Sequence, residues 1–452
     1  MSKLRYESPV IQKMNAGLMN KYGTRTEYEP VKTIDGVAVK SLLEKYGSPL
    51  FVISERTIRR TYQHAVRAFN TRYPKVQFAW SYKTNYLNAV CKIFHQEGSW
   101  AEAVSGFEYN KAIGNGVPGN KIIFNGPEKT NEELTLAINN DSLIHIDHFD
   151  ELYQLIELSG KLNKKPRVAI RVNMDTGIYP MWDRFGFNYE NDSAWNAINK
   201  IVASGKMQFI GLHCHIGTYM LSTAAYTVAV QKLGDLAWKC KSKLNTDIQY
   251  IDLGGGFPST NTLRGAYLPG ADTIPSVDDF AEAITSALLN LGFKTEELPL
   301  LILESGRVLI DDAGYLLGTV LANKRLSDGR RATIMDFGVN ILFTSFWYEH
   351  KISPAQDFTH HTEDMVVYGP LCMNIDVIRQ NVNLPLLNRG DNVVVHKVGA
   401  YNMTQWMQFI QMRPNVIMID GSGNTHLIRE AENLKYIEQL EKIPEHLQGI
   451  KL

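Results

Sequence analysis

Residues 248–258 read IQYIDLGGGFP and residues 299–307 read PLLILESGR. In both, an apolar run of strand length gives way at once to glycine and charge. Near-continuous apolarity fits a strand buried on both faces, as in a parallel sheet, better than the alternation of a strand with one wet face. Working outward, six further runs precede these two: VQFAW (76–80), AEAVS (101–105), KIIFN (121–125), SLIHI (142–146), RVAIRV (167–172) and MQFIGLHCHI (207–216). Helix-like stretches separate them. Eight β/α units in succession predict an α/β fold, a (β/α)8 barrel over residues 49–310, with an open doubly wound sheet as the runner-up.

Past residue 310 the texture changes to runs such as RATIMDFGVN, DMVVYGP and GDNVVVHKVGAY, bounded by turn residues. This predicts a second, all-β domain over 311–452. The segment 1–48, with YEPVKTIDGVAV, is assigned to that same domain, and the closing REAENLKYIEQLEKI is expected to be a helix.

The chain has 452 residues, 44% apolar and 21% charged, with 47 basic and 47 acidic side chains. Zero formal charge and no long basic block leave no electrostatic footprint for nucleic acid or an anionic membrane, so a small-molecule partner is expected. Cys91, Cys214, Cys240 and Cys372 are far apart and form no CxxC pair, which argues against a disulfide framework or a thiolate zinc site and for a reducing compartment. The first twenty residues contain no apolar signal core, and no stretch of 18 apolar residues occurs, so a cytoplasmic location is expected.

Active sites of such barrels lie where the strands end. Three glycines, Gly254, Gly255 and Gly256, let backbone N–H groups approach an anion; they also fit a plain tight turn. Their position beside Gly306 and Arg307 matches the phosphate site that barrels build after strands seven and eight, with Arg307 as the fixed charge. Lys83, after the first run, points to the barrel mouth, where a desolvated ammonium of lowered pKa can form a Schiff base. Together they suggest pyridoxal phosphate. His213 and His215 are read as facing opposite ways, one of them a core histidine, and no metal motif such as HExxH occurs.

With these residues in order, the chain resembles the fold type III pyridoxal-phosphate decarboxylases, the group of diaminopimelate, ornithine and arginine decarboxylases, with alanine racemase more distant. The resemblance spans about residues 35–425 and rests on YGSPLFVIS, FAWSYKTN, AEAVSGFE, IIFNGPEKT, AIRVN, RFGF, GLHCHIG, IDLGGGFP, LESGR, MDFGVN, GPLC and GAY. It implies an alanine racemase-like barrel plus a β-barrel domain formed by both chain ends, and pyridoxal 5'-phosphate as cofactor. Lys83 takes the place of the Schiff-base lysine and His215 that of the histidine stacked on the cofactor ring. Thr218 stands where a phosphate-binding serine is usual. Gly254, Gly255, Gly256, Gly306, Arg307 and Tyr401 match the phosphate cradle. Glu102 and Arg171 fall in cofactor-site motifs, and Glu304 matches the carboxylate facing the pyridine nitrogen. The racemase branch has arginine there, so Glu304 favours decarboxylation. Ser305 replaces the usual proline. Cys372 matches the acid donated across a dimer interface, which implies a homodimer with shared active sites.

The substrate end departs from the pattern. Met373 follows Cys372 where diaminopimelate decarboxylases have Glu and ornithine decarboxylases Asp; a thioether cannot pair with an ammonium. The Arg-Pro pair of the diaminopimelate branch becomes Thr344 and Ser345, although Tyr348 is kept, and the ornithine branch's Asp falls at Phe337. Thr344, Tyr348 and Met373 are therefore expected to line a less charged substrate pocket. The function expected is decarboxylation of a conjugated or non-standard amino acid, as in siderophore or antibiotic biosynthesis. The alternatives are a diaminopimelate decarboxylase, or a catalytically dead relative that binds a partner.

Overall fold

A computed structural model describes residues 28–449 except Tyr267 and His360. The first 27 residues of the segment assigned to the β domain lie outside the described residues. Eight parallel strands, Val76–Ser81, Trp100–Ala103, Ile122–Phe124, Leu143–Ile146, Arg167–Asn173, Gln208–His213, Tyr250–Asp252 and Leu300–Leu303, coincide with the eight apolar runs. Each pairs with the next in chain order, and the eighth pairs with the first through Leu301 and Val76, Ile302 and Gln77, and Leu303 and Phe78. That last ladder closes the barrel and excludes the open sheet. Ala79, Ile123, Leu143, Ala169, Ile210, Tyr250 and Ile302 form one apolar cluster drawn from seven of the strands, distinct from the cluster that includes the helix cores. The barrel is thus packed rather than hollow, and its chemistry is displaced to the strand ends.

Local signals explain where the helices start. Ser54 accepts the Thr57 N–H to cap Glu55–Asn70, and Thr130 with Glu133 forms a capping box before Asn131–Asn139. The second run ends earlier than expected: its strand stops at Ala103, because Ser105 is taken as the cap of Gly106–Gly114.

The second domain is a nine-stranded sheet built on the long strand Gly314–Arg325, which pairs with Leu50–Ser54, Arg331–Met335 and Asn392–His396. Leu50–Ser54 also pairs in parallel with Val416–Ile419, so segments from before and after the barrel meet in one sheet. The expected boundary after residue 48 therefore falls before a strand that pairs in this sheet. Its burial explains the difference: Phe51 and Ile53 join the large core, while Leu50 and Val52 join a separate cluster with Ile34, Val39 and Leu42. A strand sandwiched between two cores has the same all-apolar look as a barrel strand.

The terminal helix is far shorter than REAENLKYIEQLEKI suggested, covering only Leu434–Glu438. Glu432 is held by Arg413 (2.5 Å) and Arg429 (2.7 Å), and Thr425–Arg429 is a strand. Beyond residue 438 Leu440 is 86% exposed, so no core pays for further helical ordering. Among the described residues no helix is long and apolar enough to cross a membrane.

Candidate active site

Lys83 leaves the first strand in one 3-10 turn, Tyr82–Thr84. The second domain clamps that turn: the Thr404 hydroxyl donates to the Lys83 carbonyl (2.8 Å), and the Tyr401 N–H to the Thr84 carbonyl (2.8 Å). The ammonium donates to both oxygens of the fully buried Glu102, at 2.8 and 2.9 Å, while 38% of the lysine side chain stays exposed to the cavity. The expectation of a lowered lysine pKa is corrected here. Burial opposes the charge, but the Glu102 carboxylate, backed by Glu304, outweighs it and raises Lys83 above its ordinary value.

Glu102 also accepts from Ser81 (2.5 Å), and the Asn125 amide donates to Glu102 (3.2 Å) and to Glu304 (2.5 Å), tying three strand ends and the eighth-strand carboxylate into one network. His213 Nε2 lies 3.4 Å from Glu304, and its ring stacks on His145 with centroids 4.6 Å apart. Burial first, and then Glu304, pushes the Asp252 carboxyl well above its usual range. His145, His213 and His215 are all driven well below theirs by burial, so the three imidazoles are neutral at pH 7. His145, His213 and Glu304 bring three ligand-type atoms within 4.8 Å of one another, a grouping that no spacing motif in the sequence announces.

His213 and His215 both line the cavity, which overturns the reading that they face opposite ways. Side chains two apart on a strand share a face, and the strand itself ends at His213. His215 Nδ1 accepts the Gly255 N–H at 3.0 Å, so the ring proton sits on Nε2. Gly254 and Gly256 have φ of 63° and 102°, and a β-carbon on any of the three glycines would come within 2.7 Å of the backbone of a neighbouring loop. Gly306 is pressed against the Thr84 side chain in the same way. The glycines thus pull the loops after strands six, seven and eight together. Gly254 and Gly255 are buried, and Gly256 and Gly306 keep partial exposure.

The cavity at these strand ends measures about 720 Å³. Lys83, Glu102, Arg171, His215, Thr218, Glu304, Arg307, Tyr348 and Tyr401 all line it. Arg171 lies 3.9 Å from Asp147 and 4.4 Å from the Phe185 ring centroid. Arg307 hydrogen-bonds the Tyr348 hydroxyl and faces the rings of Tyr401 (4.6 Å) and Tyr219 (5.6 Å). Tyr401 holds left-handed backbone at φ 63°, a conformation disfavoured by a β-carbon and kept here by the contacts of its turn. Trp182, Phe185, Phe346 and Trp347 add aromatic rings to the lining, Trp182 against His215 (5.6 Å) and Trp347 against Arg307 (5.9 Å), and Arg264 and Gln405 line the cavity as well.

Residues 21–311 match the family model of the pyridoxal-dependent decarboxylases, pyridoxal binding domain. The chain belongs to the pyridoxal-dependent decarboxylases. It is 30% identical over 436 residues to the diaminopimelate decarboxylase of Aquifex aeolicus, covering 93% of this chain and 98% of the relative. It is 30% identical over 432 residues to that of Methanocaldococcus jannaschii, covering 92% and 95%. The crystal structure of the M. jannaschii diaminopimelate decarboxylase in complex with L-lysine superposes with a TM-score of 0.85 at 29% identity, over 93% of this chain and 98% of that one. This decarboxylase is accordingly a carboxy-lyase whose cofactor is pyridoxal 5'-phosphate. The residues present fit that group: an amine reaching into the cavity, a buried carboxylate near it, and glycine loops with no room for a β-carbon beside a guanidinium.

Three substrate and acid positions lie off the cavity of their own chain. Thr344 does not line the cavity of the decarboxylase; it is buried, with its hydroxyl bonded to His350 (2.8 Å) and Asn402 (3.0 Å). A short side chain at that register satisfies itself inside the β domain. Met373 and Cys372 also lie off the cavity of their own chain: Met373 is half-buried and Cys372 exposed. Their loop is tethered at the sheet by Asp376, which accepts the Val339 and Leu371 N–H groups (2.8 Å each). Sequence reasoning missed Asn125, although it ends a barrel strand run and the same strand-end rule would have found it. It also missed Thr404, Trp182, Tyr219 and Arg264, which stand on loops without a periodic signal.

Proposed function

We propose that this decarboxylase removes the α-carboxylate of an amino acid carrying a second carboxylate at its far end, with meso-diaminopimelate as the first compound to assay. What supports the substrate is the likeness to diaminopimelate decarboxylases along more than nine-tenths of the chain; what supports the chemistry is Lys83 held by Glu102 within one cavity with Glu304. Bound pyridoxal phosphate supplies an electron sink for cleavage at Cα. Lys83 Nζ would hold that cofactor, His215 would pack on its ring, and Glu304 would keep a proton at its ring nitrogen. Thr218, Gly254, Gly255, Gly256, Gly306, Arg307 and Tyr401 would bind its phosphate, with Glu102 and Arg171 contributing to the rest of its site. Cys372 or Lys83 returns a proton to Cα.

Because Cys372 is exposed and off the cavity of its own chain, the working unit is read as a homodimer in which the loop completes the partner's site. Mixing Lys83→Ala with Cys372→Ala chains should then restore part of the activity that neither homodimer has. The four unpaired cysteines support a reducing, cytoplasmic setting.

The second reading is a conjugated or otherwise non-standard amino acid. It is favoured by the inward turn of Thr344 and the aromatic rings in the cavity lining. Lysine release from meso-diaminopimelate by the cofactor-loaded protein tests the first reading. Its absence, with turnover of an amino acid bearing a bulky apolar extension, would favour the second.

A further inference from the structure

Three arginines line the cavity, and two are engaged: Arg171 lies beside Asp147, and Arg307 hydrogen-bonds Tyr348. Arg264 is exposed and, among the described residues, its guanidinium has neither hydrogen bond nor ion pair. Its backbone is nevertheless fixed. The Arg264 N–H donates to the Trp347 carbonyl (2.7 Å), the Glu349 N–H to the Thr262 carbonyl (2.9 Å), and Leu263 forms an antiparallel bridge with Tyr348. This short ladder fastens the loop after the seventh strand to the segment that carries Thr344, Phe346 and Trp347. Nearby Arg379 is already engaged with the His350 carbonyl (2.7 Å) and Glu349 (3.5 Å).

The acidic side chains that line the cavity among the described residues are Glu102 and Glu304, which meet in the Lys83 network. Outside that network the lining therefore offers, in Arg264, an unpaired cation and no carboxylate. An ammonium arriving there would be left unpaired, whereas a carboxylate would meet a planar fork of donors. We propose that Arg264 is a specificity-determining residue that binds the far-end anion of the substrate, so that the enzyme selects α-amino acids ending in a carboxylate over those ending in an amine. The idea rests on the reading of an anionic terminus above and names the residue that enforces it.

The test uses the cofactor-loaded full chain and two probes of equal reach, 2-aminopimelate and lysine, each as both enantiomers. Dissociation constants are read from the change in absorbance of the bound cofactor. The wild type should bind the better aminopimelate enantiomer at least about tenfold more tightly than lysine, as expected for a charge-assisted fork at a partly wet site. Arg264→Gln should cancel that preference with lysine binding unchanged, and Arg264→Glu should invert it. A wild-type ratio at or below one, or a ratio that Arg264→Gln leaves intact, overturns the proposal. Failure to release lysine from meso-diaminopimelate would count against that substrate alone, since the aminopimelate ratio is measured without it.

Discussion

Around Lys83 each charged group has a partner: Glu102 takes the ammonium and the Ser81 hydroxyl, and Asn125 ties Glu102 to Glu304. Elsewhere in the lining, on loops and on the β domain, Trp182, Phe346 and Trp347 supply rings, and Arg264 has no side-chain partner among the described residues. The two regions also differ in origin. The first is built from strand ends whose positions the barrel register dictates, the second from loops and from the β domain. Chemistry that must not vary sits on the rigid elements, and what the cavity accepts is left to segments that can change without disturbing the barrel.

The largest effect should come from removing the centre of the first region. Lys83→Ala is expected to abolish turnover and the visible absorbance of bound cofactor. It should also lower stability by about 1–3 kcal/mol, because Glu102 stays buried with its cation gone. Thermal unfolding of Lys83→Ala and of the double variant Lys83→Ala/Glu102→Gln checks this, the second recovering most of the loss. Equal stability of wild type and Lys83→Ala would mean that the network around Lys83 is not the tightly balanced region described.

The same division explains what the sequence revealed. All eight barrel strands were visible because burial on both faces leaves an unbroken apolar run, and Lys83, His215, Glu304 and Arg307 were visible because they follow such runs at fixed offsets. Leu50–Ser54 misled for the same reason, since a strand between two cores carries the barrel's signature. Thr344 was placed by register, which gives a position along the chain but not the direction of a side chain with partners of its own in His350 and Asn402. Arg264 carries no periodic signal, and only the ladder to Trp347 brings it to the cavity.

Arg307→Ala should weaken cofactor binding by about 10- to 100-fold, the loss of a charge-assisted contact to phosphate. Arg307→Lys should recover part of it. Cofactor titration followed by absorbance measures both, and a wild-type dissociation constant in the alanine variant would assign the phosphate to other groups and leave Arg307 as a brace for Tyr348. A smaller effect is expected at the other region. Met373→Glu should raise kcat/KM for a diamino acid such as lysine by about tenfold, the worth of one partly desolvated ion pair. Met373 is off the cavity of its own chain, so this gain requires the loop to enter the partner's site; no gain in a variant that still dimerises would sink the shared-site reading.

The smallest effect tests whether the well-paired region has a weak point of its own. Glu108 is buried beside Val104, whose N–H it accepts at 2.8 Å. Burial outweighs that hydrogen bond and, with the Glu102 charge adding to it, pushes the carboxyl up to about 7 from an ordinary value of 4.5. Between those two pH values the folded protein keeps a proton that the unfolded chain has released, so stability falls as pH rises through the window and the cost is complete above it. Glu108→Gln retains an acceptor for the Val104 N–H without the charge. It should therefore be more stable than wild type by about 1 kcal/mol at pH 8, with the advantage vanishing near pH 4, where the wild-type carboxyl is protonated in both states. Denaturant melts of the two proteins across that range give the difference directly. A constant difference at every pH would show that Glu108 is paired well enough to stay charged, and that the balance around Lys83 extends one residue layer further than Glu102.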